Sequence, residues 1–134
     1  MVLNVEPMRK ILVIEDDTLL CWLLKKIIGV NSDVVIMNDG MDAWQWLSEG
    51  NYPDLIISDL KMPSLDGIQL LENLNGAPTL KDIPVIMLSG YEDPIKRKTC
   101  MDLGAYAYMV KPFEPPVLIE MVDQVLASRV QLQA

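Results

Sequence analysis

Polar residues that could carry chemistry follow four short apolar runs in this chain. The runs are ILVI, DLIIS, VIML and YMV, and they lead into Glu15-Asp16, Asp59, Ser89 and Lys111. A parallel sheet holds its ligands outside the carboxyl ends of its strands. If the four runs are neighbouring strands, three carboxylates, a hydroxyl and an ammonium group share one crevice. This set of groups suits a divalent cation together with a phosphoryl group.

Each of these residues also has an ordinary structural interpretation. Acids that follow a strand are often helix N-caps and first-turn charges, and Asp17 is predicted to be such a cap. Taken alone, Asp59 could be a turn residue, Ser89 could belong to a Ser-Gly turn, and Lys111 could be a solvated lysine. The joint pattern favours a shared site, because independent turns would not reproduce all four segments in this order.

The composition limits the classes of protein that fit. A chain of 134 residues, 51% of them apolar, suits one domain over residues 1–134 with a core from about 10 to about 127. The absence of histidine excludes histidine-based zinc sites and histidine bases. A net charge of −8 argues against direct binding of nucleic acid.

The sequence also predicts the cellular compartment of the protein. Charged residues interrupt the apolar stretches, so no membrane span is expected, and the first ten residues lack the apolar core of a secretory signal. Cys21 and Cys100 are the only cysteines and have no CxxC spacing. We therefore expect a cytoplasmic protein without a disulfide framework.

Strand-like and helix-like segments alternate five times along the chain. The predicted strands are 10–14, 33–37, 54–58, 83–88 and 106–110. The predicted helices are 18–29, 41–49, 66–75, 92–103 and 114–127, the first of them with apolar residues at helical spacing. This alternation predicts an α/β fold, in which helices cover both faces of a five-stranded parallel sheet.

Four motifs make the chain resemble the receiver domain of bacterial two-component response regulators, including the chemotaxis receivers. They are ILVIEDD, PDLIISDLKMPSLDG, IPVIMLSG and GAYAYMVKPF, and the resemblance runs from about residue 10 to about residue 127. It implies a doubly wound, flavodoxin-like sheet of strand order 2-1-3-4-5 with five helices. It also implies a signalling switch rather than a metabolic enzyme.

The resemblance implies a role for each residue of the site. Asp59 corresponds to the phosphoacceptor, which takes a phosphoryl group from a phosphohistidine. Glu15, Asp16, Asp59 and the backbone carbonyl of Lys61 correspond to the ligands of Mg²⁺. Lys111 corresponds to the cation that neutralises a phosphoryl oxygen.

The resemblance also implies a switch. Ser89 corresponds to the hydroxyl that bonds the phosphoryl group, and Tyr108 to the aromatic ring that turns inward when this hydroxyl moves. The bond between Lys111 and Pro112 is expected to be cis, as it is in the family.

The implied partners are a sensor histidine kinase or a histidine phosphotransfer protein, and a downstream protein or output domain of unknown identity. Leu19 and Trp22 lie off the apolar stripe of the first helix, and we expect them to form part of the surface that docks on the kinase. The stretch Ala105-Tyr106-Ala107 lacks the acids of receivers that dimerise through their last helices. Homodimerisation stays open, as does the choice between a stand-alone receiver and part of a larger regulator or hybrid kinase.

Three other functions fit the sequence less well. An aspartyl-phosphate phosphatase of the haloacid dehalogenase type needs an acid where this chain has Lys61. An interaction module with an inactive site would lack Asp59 or Lys111. A flavodoxin-like cofactor binder would leave the acid cluster unexplained.

Overall fold

A computed structural model describes residues 8–133 of the chain, with side chains up to residue 128. The strands are β1 (Arg9–Ile14), β2 (Ser32–Met37), β3 (Leu55–Asp59), β4 (Val85–Ser89) and β5 (Ala107–Val110). The helices are α1 (Thr18–Ile28), α2 (Gly40–Ser48), α3 (Gly67–Asn75), α4 (Pro94–Asp102) and α5 (Pro115–Gln133). Residues 1–7 and 134, which the predicted domain includes, lie outside the described residues.

All five strands are parallel and form one sheet in the order β2-β1-β3-β4-β5. The predicted fold and strand order are therefore confirmed. The order reverses between β1 and β3, and this switch point is where ligands bind in doubly wound sheets. The register aligns the strand ends there, since Ile14 pairs with Ser58, Asp59 with Leu88 and Ser89 with Val110.

Two apolar cores lie on opposite faces of the sheet, because successive side chains of a strand point to opposite faces. In β1, Leu12 and Ile14 belong to the core under α2, α3 and α4, whereas Ile11 and Val13 belong to the core under α1 and α5. All four side chains are fully buried. A central strand buried on both faces explains why ILVI is continuously apolar rather than alternating.

Four of the helices begin at an aspartate that serves as the N-cap. Asp17 accepts hydrogen bonds from the backbone N–H groups of Leu19 and Leu20, as the sequence predicted. Asp39, Asp66 and Asp93 occupy the equivalent place in α2, α3 and α4. Four of the 19 acidic residues therefore stabilise helix starts, where the helix dipole favours negative charge.

Most segment boundaries differ from the predicted ones by one or two residues, and the end of α5 differs by more. Helix α4 begins at Pro94 rather than at residue 92, because Asp93 is its cap and proline suits the first helical turn. Helix α5 continues to Gln133 rather than ending near residue 127. The sequence SRVQLQ contains no glycine or proline to stop a helix and is rich in good helix formers. None of the helices within residues 8–133 has the length and apolar character that crossing a bilayer requires.

Candidate functional site

Three carboxylates meet at the ends of β1 and β3. An oxygen atom from each of Glu15, Asp16 and Asp59 lies within 4.8 Å of the others. Glu15 is only 1% exposed and Asp59 only 7%, whereas Asp16 is open to solvent. The sequence predicted this meeting from the strand ends, and the pairing of β1 with β3 produces it.

Lys111 supplies the positive charge of the site. Its Nζ atom lies 3.1 Å from Oε1 of Glu15 and 3.4 Å from Oδ1 of Asp59. The lysine follows β5, and its backbone N–H donates to the carbonyl of Ser89 at the end of β4. The Lys111–Pro112 peptide bond is cis, as expected. One ammonium group is thus shared by two buried acids.

The pKa values of the site reflect burial opposed by charge pairing. Burial raises the pKa of Glu15 and of Asp59, and the ammonium of Lys111 only partly counteracts this effect. Burial lowers the pKa of Lys111, but the charges of Asp59 and Glu15 outweigh it and leave that pKa raised. Lys111 is therefore stabilised in its protonated form, while further positive charge would stabilise the ionised form of both acids.

Hydrogen bonds to its backbone carbonyl and to its carboxylate fix the position of Glu15. Its carbonyl oxygen accepts hydrogen bonds from Nδ2 of Asn38 at 2.9 Å and from Sγ of Cys21 at 3.2 Å. Its Oε2 atom accepts from the backbone N–H of Asp17 at 3.2 Å. Asn38 was not anticipated from the sequence, although it follows β2 as Glu15 follows β1.

The loop between β3 and α3 is held close to the acid cluster. A side chain at Gly67 would bring a Cβ atom to 2.6 Å from the Met87 sulfur and 3.1 Å from the carbonyl of Asp59, so only glycine fits there. Ser64 has a positive φ of 63°, and its hydroxyl donates to Oδ1 of Asp39 at 2.7 Å. The side chain of Lys61 is exposed, and its carbonyl remains a predicted metal ligand.

Ser89 and Tyr108 share one acceptor in the loop before α4. The Ser89 hydroxyl donates to the backbone carbonyl of Tyr91 at 2.9 Å, and the Tyr108 hydroxyl reaches the same carbonyl at 3.5 Å. The Tyr108 ring is only 5% exposed. The inward movement of this ring on phosphorylation remains a prediction. In this structure the ring is already buried, and its hydroxyl shares an acceptor with the hydroxyl of Ser89.

The described contacts of Tyr108 include a residue that sequence reasoning missed. The guanidinium carbon of Arg97 lies 4.7 Å from the centre of the ring. The sequence carries no signal for this contact, because it depends on how α4 packs beside β5 and on which way the Tyr108 ring points.

The two residues predicted to dock on a kinase are exposed, Leu19 at 74% and Trp22 at 58%. They line a groove of about 560 Å³ that also includes Lys111, Pro112 and Phe113. Exposed apolar side chains therefore adjoin the cation of the acid cluster, on the side that an incoming group can approach.

A family model, the response regulator receiver domain, matches residues 11–123. A relative described as the probable transcriptional regulator ycf29 of Pyropia yezoensis is 33% identical over 126 residues, which are 93% of this chain and 56% of that protein. The chain thus spans little more than half the length of this relative.

Solved structures share this fold, and two of them illustrate the likeness. A putative response regulator from Chloroflexus aurantiacus has a TM-score of 0.83 and 30% identity, with 90% of this chain and 99% of the other covered. The receiver domain of a Pseudomonas aeruginosa sensor histidine kinase, solved with a magnesium ion coordinated in its active-site cleft, has a TM-score of 0.80 and 22% identity. The coverage there is 90% of this chain and 99% of the other, and at this identity the likeness concerns the fold.

Proposed function

This chain belongs to the response regulator receiver domain family and acts in two-component signalling, and we propose that Asp59 is its phosphoacceptor. The observation that carries the proposal is the ammonium of Lys111, which lies 3.4 Å from Asp59 at the switch point of the sheet. Asp59 is the acid at the end of the buried strand β3, and the other two acids of the cluster lie beside it. No other acid among residues 8–133 combines these features.

The proposed reaction transfers a phosphoryl group from a phosphohistidine of a kinase or a phosphotransfer protein. A carboxylate oxygen of Asp59 donates an electron pair to phosphorus and forms the new P–O bond of an acyl phosphate. The P–N bond breaks, its electron pair stays on the imidazole nitrogen, and that nitrogen takes up a proton. Lys111 bonds an oxygen of the transferred group and offsets its charge.

We propose that Mg²⁺ is bound by Glu15, Asp16, Asp59 and the carbonyl of Lys61. The donor set fits the ion, because Mg²⁺ prefers hard oxygen ligands and the carboxylate oxygens of these acids lie within 4.8 Å of one another. The raised pKa values of Glu15 and Asp59 point the same way, since such acids gain most from added positive charge. When bound, the ion would offset carboxylate repulsion and charge on the phosphoryl oxygens.

The proposed output is a change of the binding surface rather than metabolic catalysis. Ser89 donates a hydrogen bond to the phosphoryl group, and Tyr108 transmits the change to the face formed by α4, β5 and α5. Leu19 and Trp22 form part of the surface that receives the kinase or phosphotransfer protein.

We also propose a cytoplasmic location. Cys21 and Cys100 are both buried and unpaired. This arrangement suits a reducing compartment, where thiols stay free.

The test is incubation with acetyl phosphate and Mg²⁺, followed by intact mass measurement. The wild-type protein should gain one phosphate, which hydroxylamine removes, and Asp59→Asn should gain none. Asp93→Asn is the matched control, because asparagine caps a helix as well as aspartate does and Asp93 lies outside the acid cluster. Phosphorylation of Asp59→Asn at the wild-type rate would overturn the assignment.

A further inference from the structure

Two neighbouring residues between β2 and α2 contact segments on both sides of the acid cluster. Nδ2 of Asn38 donates to the carbonyl of Glu15, just after β1, at 2.9 Å. Oδ1 of Asp39 accepts from the hydroxyl of Ser64, in the loop between β3 and α3, at 2.7 Å. This loop also contains Lys61, whose carbonyl is a proposed ligand of Mg²⁺. One short turn therefore holds a segment on each side of the proposed metal site.

The loop between β3 and α3 is strained at Ser64. Its φ of 63° lies in the left-handed region, which serine rarely adopts. The backbone N–H of Leu65 donates to the carbonyl of Pro63 at 2.8 Å, so Ser64 is the central residue of a three-residue turn of the rare, strained kind. Such strain persists only where surrounding contacts oppose its relaxation. The bond to Asp39 is one of these contacts, because it holds the Ser64 side chain at the apex of the turn.

Asp39 is well suited to hold this turn. The hydrogen bond from the Ser64 hydroxyl, and then the one from the backbone N–H of Met41, lower the pKa of Asp39. Asp39 is therefore ionised at neutral pH, and a hydrogen bond to an ionised acceptor is stronger than one between neutral groups. The start of α2 also lies directly against the loop, because a Cβ atom at Gly40 would clash with the carbonyl of Leu65.

We propose that Asn38 and Asp39 are positioning residues that keep the backbone around the acid cluster in its metal-binding arrangement. Asn38 acts on the backbone of Glu15, and Asp39 acts through Ser64 on the loop that carries Lys61. Mg²⁺ demands a nearly ideal arrangement of its ligands. A backbone that spends time in other conformations therefore lowers the apparent affinity by the fraction of time lost. The proposal deepens the proposed function and rests on it for the metal site.

Other contacts support the same loop and limit the size of the effect. Met62 and Leu65 are buried in the core between the sheet and α2, α3 and α4. The backbone N–H of Gly67 donates to the carbonyl of Leu60 at 2.8 Å and closes the base of the loop. Loss of the Ser64 bond should therefore relax the turn without unfolding the loop. A single hydrogen bond corresponds to a factor of about two to ten in a conformational equilibrium.

Ser64→Ala tests the contact with Asp39, because it removes the hydroxyl, changes no charge and keeps the Cβ atom that makes a positive φ unfavourable. Titration with Mg²⁺, followed by the NMR shift of the Asp59 amide, should give a dissociation constant about two- to tenfold higher than that of the wild type. Without Mg²⁺, hydrogen exchange of the Leu65 amide should be faster by a similar factor. Ser48→Ala is the matched control and should change neither value, since the Ser48 hydroxyl bonds a carbonyl at the far end of α2.

Asn38→Ala tests the contact with Glu15. It leaves the Glu15 carbonyl with the thiol of Cys21, which is a weak donor. The dissociation constant of Mg²⁺ should again rise about two- to tenfold, while exchange of the Leu65 amide stays as in the wild type. Asn75→Ala is the matched control, because Nδ2 of Asn75 donates to a backbone carbonyl at the end of α4. It should bind Mg²⁺ like the wild type.

A wild-type dissociation constant in Ser64→Ala or in Asn38→Ala would overturn the proposal, and so would equal weakening in the two controls. Faster exchange throughout the Ser64→Ala protein, with unchanged affinity for Mg²⁺, would show a general loss of stability and also overturn it. Failure of the proposed metal site gives a different result. In that case Mg²⁺ does not shift the Asp59 amide even in the wild type, and the proposal falls with the site, whereas the faster Leu65 exchange in Ser64→Ala persists.

Discussion

Replacing Lys111 with methionine removes the ammonium group from between two buried carboxylates while keeping a long, unbranched side chain. Glu15 is 1% exposed and Asp59 7%, so neither acid can recover by turning into solvent. Breaking a buried charge pair by removing one partner leaves an uncompensated charge, which destabilises the folded state. We therefore expect Lys111→Met to lower the free energy of unfolding near neutral pH.

The distances set the size of the effect. At 3.1 Å and 3.4 Å, each contact corresponds to a Coulomb energy of about 5 kcal/mol at an effective dielectric constant of about 20, which is an upper bound. Two terms reduce the net value. A quarter of the Lys111 side chain is exposed, so water screens its charge, and its removal also recovers the desolvation cost of the ammonium. A net loss of about 2–3 kcal/mol follows, or a fall in Tm of about 6–12 °C.

The loss should depend on pH in a defined direction. Burial already raises the pKa of Glu15 and Asp59, and removal of Lys111 takes away an interaction that lowers both. The folded variant then binds protons more tightly than the unfolded chain, so its stability falls as pH rises through the raised pKa values. At a pH below the ordinary pKa values of Glu and Asp, 4.5 and 3.8, both acids are protonated in either state, and the difference from wild type should shrink.

Urea unfolding followed by tryptophan fluorescence measures this difference. Lys61→Met is the matched control, because Lys61 lies two residues after Asp59 and its side chain is exposed. We expect Lys61→Met to unfold like the wild type, and Lys111→Met to approach it only in acid. The charge argument is refuted if Lys111→Met is as stable as Lys61→Met near neutral pH, or if its deficit is the same in acid.

Three further predictions follow from the same site. Replacing Glu15 and Asp16 together with alanine should abolish the binding of Mg²⁺ measured by isothermal titration calorimetry, and binding like that of the wild type would remove both residues from the proposed ligand set. Trp22→Ala should slow phosphoryl transfer from a kinase but not from acetyl phosphate, whereas equal slowing of both would indicate a folding defect. Lys61→Asn combined with Tyr91→Glu should speed loss of the phosphoryl group in Mg²⁺, because two long side chains that shield the bond from water are gone; an unchanged or slower decay would show that they do not shield it.

The fold was predictable because its signals are local. A continuous apolar run such as ILVI can be buried on both faces only in the middle of a sheet, and β1 is there. The apolar periodicity of the first helix and the aspartate before it gave the beginning of α1. The meeting of Glu15, Asp16 and Asp59 was expected if β1 and β3 are neighbours, since parallel strands end at the same edge, and these two strands do pair.

The parts of the site that escaped prediction depend on contacts between distant segments. Asn38 bonds the carbonyl of Glu15, 23 residues earlier, and Ser64 bonds Asp39, 25 residues earlier. Arg97 contacts Tyr108 across the boundary between α4 and β5. Asparagine, serine and arginine occur in many surface loops and helices, so their type and spacing carry no specific signal. Only the packing of the elements reveals their partners.

The charges of the site link metal binding to phosphorylation. One ammonium group faces three carboxylates, and it lies nearer to Glu15 than to Asp59. A phosphoryl group on Asp59 replaces the single charge of the carboxylate with about two negative charges at neutral pH, and it competes with Glu15 for Lys111. Because Glu15 is buried, water screens its charge only weakly. Negative charge gained at Asp59 therefore increases the electrostatic stabilisation that a cation beside Glu15 and Asp16 provides. Linkage makes this coupling reciprocal.

We therefore expect the phosphoryl mimic beryllofluoride to tighten Mg²⁺ binding by the same factor by which Mg²⁺ tightens beryllofluoride binding. Glu15→Gln should weaken that coupling, although Asp59 is still present.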